Sequence, residues 1–155
     1  MVHGKRVLAA LTSMFLAVVM GGPAAFCATT TQDSQFSNVP VTNDCTGDTI
    51  LMSGTLHSVM GSSTNPNGMT HTTMDFTVHA TGVGAITGLN YVINDNSHQE
   101  TNTRGVAQEQ YMGTKMKMIS QGPAPNLTDR ITLHVVIDSN NNTNVQKSSE
   151  TITCK

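Results

Sequence analysis

The chain has no tryptophan, two tyrosines and four phenylalanines. Aromatic planes that stack on sugars or bases are therefore scarce, which weighs against lectin-type and single-stranded nucleic-acid recognition. Charged residues make up 12 % of the sequence and form no basic block. Without such a block, nothing displaces phosphate counterions or draws the chain to an anionic membrane, so nucleic acid is not an expected partner. Long apolar runs are also missing, with one exception at the N-terminus.

That exception has the layout of an export signal. Lys5 and Arg6 precede an apolar run over residues 7–20, which Gly21, Gly22 and Pro23 break. Ala24, Ala25 and Ala28 supply the small residues of a cleavage zone. This tripartite pattern marks residues 1–27 as a secretory signal peptide, with cleavage expected after Cys27. The run is shorter than the ~20 residues a spanning helix needs, so no transmembrane segment is expected in the mature chain. Cys27 stands where a lipoprotein carries its acylated cysteine, but bulky Phe26 precedes it, so it is expected to leave with the signal. The protein is then secreted or periplasmic.

Residues 28–155 are enough for one domain with its own core. Loss of Lys5 and Arg6 leaves six basic residues against ten acidic ones, spread along the chain. Residues 28–44 are polar, show no sustained period and read as a flexible N-terminal segment. Residues 45–155 form the expected domain. Its two cysteines, Cys45 and Cys154, are 109 residues apart. In an oxidising compartment such a pair bonds, and its Cα atoms must then lie within ~7 Å. The alternative of a thiol metal or catalytic site lacks any CxxC spacing to support it.

Alternation of period two recurs through the domain, and no helical period does. In residues 50–60 the apolar side chains are Ile50, Met52, Leu56 and Met60, with Ser53, Thr55 and His57 on the opposite face. A turn ending in Asn67-Gly68 follows. The next strand puts Met74, Phe76, Val78 and Ala80 on one face and His71, Thr73, Asp75, Thr77 and His79 on the other. Gly82, Gly84 and Gly88 mimic a phosphate loop, but the segment after them reads as a strand and not the required helix, so they mark a bend or bulge. Residues 94–103, with His98, read as a polar loop. Further strands are expected over 104–121, 129–138 and 145–154. Six or seven strands with short turns predict an all-β, single-domain antiparallel fold. An up-and-down barrel is preferred, with an immunoglobulin-like sandwich as the rival.

Two constellations carry possible chemistry. His57, Asp75, His79 and His134 share strand parity and offer a divalent-metal set, with zinc as the natural ion. The competing reading is a polar face whose histidines bond to Thr and Asp. Met116 and Met118 have the spacing of a copper-capturing thioether pair, against the plainer role of core filler that also suits Met52, Met60 and Met74. A His57–Asp75 dyad can orient a base, and Asp75, Glu100, Glu109 and Glu150 supply carboxylates. No nucleophile elbow accompanies them, so a hydrolase ranks below a binding protein.

Cys45-Thr46-Gly47, Gly54-Thr55-Leu56-His57, Gly82-Val83-Gly84, Thr87-Gly88-Leu89-Asn90-Tyr91 and the near-terminal cysteine together resemble small exported bacterial β-rich proteins of unknown function. The resemblance implies a bacterial envelope or extracellular location and assigns no site. The expected role is an exported binding protein. Its ligand is either a small apolar molecule held inside a barrel or an envelope component held at the polar face.

Overall fold

A computed structural model describes residues 27–155, and the segment read as an export signal lies outside them except for Cys27, which is exposed and unpaired. Seven strands follow one another: β1 (Ala28–Asn43), β2 (Asp48–Thr64), β3 (Thr70–Gly84), β4 (Asn90–Arg104), β5 (Ala107–Ser120), β6 (Leu127–Ile137) and β7 (Thr143–Cys154). All pair antiparallel with their sequence neighbours in one sheet of order β1 to β7. Short turns enforce that order. At the β2–β3 turn the Asn65 side chain accepts bonds from the Asn67 and Met69 amides, each at 3.0 Å, and Gly68 takes a φ of 74°. This is the positive-φ turn chemistry that glycine supplies at least cost.

The sheet is rolled. Laid flat, β1 and β7 would stand roughly 29 Å apart at ~4.8 Å per strand. The Cys45–Cys154 disulfide instead holds the β1–β2 turn and the end of β7 at a Cα separation of 5.7 Å. No β1–β7 ladder forms among the described residues, so covalent linkage, and not strand pairing, brings the two margins together. The inner face at this end packs Ile50, Met52, Ala80, Tyr91, Ile93, Met118 and Leu127 into a core, with Phe36, Val41, Cys45, Val78, Leu89 and Met116 against it. Burying each large side chain contributes about 1.5–3 kcal/mol. Met118 is fully buried and Met116 packs on the core, so this pair is filler and not an open thioether site. Gly54 faces Ala80, and a Cβ there would fall 2.6 Å from the Ala80 Cα. The close approach of β2 to β3 therefore excludes any larger residue at Gly54.

Two segments differ from the sequence expectation. Residues 28–43, expected as a flexible lead-in, form the edge strand β1. Its register shifts between Phe36 and Val39, where Ser37 and Asn38 stand against Ser53 alone. This bulge moves the inward parity from even to odd, keeping Phe36, Val39 and Val41 on the core face. The same shift erases the alternation that a strand is recognised by. Residues 94–103, expected as a loop, continue β4 between β3 and β5. They are polar on both faces, and the ladders on either side hold them extended despite weak propensity.

A buried carboxylate secures the turns at the core end. Asp48 accepts bonds from the Thr87 hydroxyl at 2.5 Å, the Ile86 amide at 2.9 Å and the Thr87 amide at 3.2 Å. The Thr87 hydroxyl and these amides outweigh burial and hold the Asp48 carboxyl below the ordinary aspartate range. Gly82 and Gly84 thus lie within β3, and Gly84 leaves room for the Asp48 carboxylate. The inner face carries a cost as well. Burial raises the carboxyls of Asp95 and Asp129, which flank Met116, and the negative charges of Glu150, Asp44 and Asp95 raise Asp129 further.

Reduction of the disulfide is expected to lower the unfolding free energy by about 3–5 kcal/mol, measured by urea denaturation with and without reductant. Asp48 stabilises the fold above its unfolded pKa, and that contribution is lost as pH falls through its lower folded value. Asp48→Asn is therefore expected to lower the urea midpoint at pH 7 and to flatten its decline between about pH 4 and 2.

Candidate functional site on the polar face

The register places every described histidine on the face opposite the core. His57, His71, His79, His98 and His134 lie on β2, β3, β3, β4 and β6, in one set of aligned positions. Each is engaged across a strand boundary. His57 Nδ1 lies 2.6 Å from Asp33, His71 Nδ1 lies 2.8 Å from Asn102, and His79 Nδ1 lies 2.8 Å from Asn94. His134 Nε2 lies 3.0 Å from Glu109. His98 is held twice, through Nδ1 by Asp75 at 2.6 Å and through Nε2 by Glu100 at 3.1 Å.

These pairings separate the four residues grouped as a metal set from the sequence. His57 stands opposite Thr77 and bonds to Asp33, Asp75 bonds to His98, His79 bonds to Asn94, and His134 bonds to Glu109. Strands β2 and β6 are four places apart in the sheet, roughly 19 Å along it. Among the described residues, no three His, Cys, Asp or Glu side chains come together as a metal-ligand group. The Asp33 partner belongs to the segment read as flexible, and His98 and Glu100 to the segment read as a loop. Their roles were hidden for that reason.

The polar face is indented around Gly113. This residue stands between His98 on β4 and Thr132 on β6, and its missing side chain leaves a shallow depression of about 450 Å³. Asp75, Thr77, Asn96, His98, Thr132, Lys115 and Arg130 surround it with donors and acceptors, and the intervening row Phe76, Ser97, Thr114 and Ile131 completes the lining. The half-exposed Tyr111 ring lies beside it, with the hydroxyl 3.4 Å from where a Gly113 Cβ would stand. Lys115 is directly opposite Arg130, and Lys117 directly opposite Thr128. The sequence scatters these residues, and only the register of β5 on β6 assembles them.

Hydrogen bonds that His98 donates to Asp75 and then to Glu100 hold it protonated to higher pH than an ordinary imidazole. Such a raised group stabilises the fold fully below its unfolded pKa, and the contribution is lost as pH rises through the folded value. A histidine-selective NMR titration is expected to give His98 a midpoint above ~6.5, and Asp75→Asn is expected to bring it down. No family model matches the chain, and neither a curated protein nor a solved structure matches it.

Proposed function

We propose that the chain is an exported, non-catalytic binding protein that holds a polar component of the bacterial envelope against its outer sheet face. One observation carries this reading: the depression at Gly113, ringed by hydroxyl, amide, imidazole, carboxylate and cationic groups. Polar groups that converge on a concavity fix a ligand's orientation. The ring includes both acceptors and donors, which suits a polyhydroxylated molecule. Tyr111 adds an aromatic surface at the edge. An apolar ligand in the interior is less favoured, because Ile50, Tyr91, Ile93, Met118 and Leu127 already fill the inner face at the core end. Catalysis is also less favoured. The carboxylates Asp75, Glu100 and Glu109 are committed to His98 and His134, and no activated hydroxyl faces them among the described hydrogen bonds.

The test fills the depression without harming the fold. A Gly113 Cβ meets nothing closer than ordinary contact distance, and glycine inside a strand is itself destabilising by up to about 1 kcal/mol. Gly113→Gln is expected to keep or raise the melting temperature and to weaken co-sedimentation with purified peptidoglycan sacculi by at least about tenfold. Equal sedimentation of both proteins, or of neither, overturns the reading.

A further inference from the structure

The polar face is not uniform in charge. Asp33, Asp75 and Glu100 lie on its β1 to β4 side and Glu109 on β5, each bonded to a histidine. On the β5 to β7 side, Lys115, Lys117, Arg130 and Lys155 line a groove of about 340 Å³. Lys115 and Arg130 stand directly opposite each other across the β5–β6 boundary. Like charges so placed repel and destabilise a sheet. Among the described residues, every ion pair within 4 Å uses a histidine as its cation, so no carboxylate compensates these four. The nearby acids Asp129 and Glu150 have the opposite strand parity and face inward.

The remaining lining is Thr128, Thr151 and Thr153. The ladders arrange the groove in two rows: Lys115, Arg130 and Thr151 in one, Lys117, Thr128 and Thr153 in the next. The rows are about 7 Å apart, with neighbouring positions ~5 Å apart. Each row thus combines cationic donors with hydroxyls over a span that accommodates a tetrahedral oxyanion. No aromatic side chain lines the groove to stack a base, which argues against single-stranded nucleic acid.

We propose that this groove binds a phosphate or sulfate ester carried by an envelope molecule, with Lys115 and Arg130 as the principal contacts and the threonines as neutral donors. The proposal rests on the reading of the polar face as the binding surface and names the charge chemistry of part of it. An oxyanion between Lys115 and Arg130 converts their repulsion into two charge-assisted hydrogen-bonding contacts. The net negative charge of the chain does not prevent this, because surface charges more than about 10 Å away are largely screened at physiological salt.

The experiment titrates inorganic phosphate into the purified protein and follows backbone amide shifts by NMR. Saturable shifts at Lys115, Lys117, Thr128, Arg130 and Thr151 are expected, weakened at least about tenfold in Lys115→Gln/Arg130→Gln with the melting temperature retained. The single variants Lys117→Gln and Arg130→Gln provide the same comparison should the double variant fail to fold. Dextran sulfate and vesicles of phosphatidylglycerol then identify the source of the oxyanion. Binding of either by the wild type and not by the variant supports the groove. No phosphate-induced shift, or shifts unchanged by the substitutions, overturns it. Gly113→Gln leaves the groove cations in place, so sacculus binding lost with oxyanion binding retained separates this proposal from the broader one.

Discussion

A single-layer sheet of seven strands has no second layer to cover its apolar face, and the covalent tie between Cys45 and Cys154 answers that need. It draws the β1–β2 turn onto the end of β7 and makes the sheet close on itself at one end. The core cluster lies at that same end, on the first residues of β2, β4 and β6 and the last of β3 and β5. Asp48 strengthens the arrangement by fastening the β1–β2 connection to the β3–β4 connection. Rolling the sheet also assigns one face to packing and leaves the other to solvent.

That assignment explains why the histidines, the free cations and the glycine indentation share a face. Alternation fixes it strand by strand, and a one-residue slip would exchange the two faces. The bulge at Ser37 and Asn38 is one place where the chain makes such a slip and absorbs it, so that the inner residues of β1 stay inward. Lys115 opposite Arg130 and His98 between Asp75 and Glu100 are consequences of register, not of sequence proximity.

Much of the fold was legible because the alternating segments were long. Ile50, Met52, Leu56 and Met60 declared β2, and Met74, Phe76, Val78 and Ala80 declared β3. The pairing of Cys45 with Cys154 followed from their isolation in the chain. What could not be read was what neighbours impose. The strand β1 lost its period to a two-against-one bulge, and the far half of β4 is polar on both sides because ladders, not burial, keep it straight. The candidate site suffered most from those gaps. His57 and His134 were recognised as co-facial, yet their partners Asp33 and Glu109 come from an unrecognised strand and from across a different boundary. The role of Gly113 was hidden as well, since nothing local reveals that a missing side chain sits among polar neighbours.

The position of Cys154 sets an order of events during biogenesis. The seven strands pair in the sequence in which they emerge, so each hairpin can zip onto the last without waiting for distant segments. Cys45 appears after the first strand, whereas its bonding partner follows the seventh. Oxidation therefore acts as a latch on a finished object: it can seal the roll only once the whole ribbon has been made, and a chain still lacking its last strand would be left unlocked.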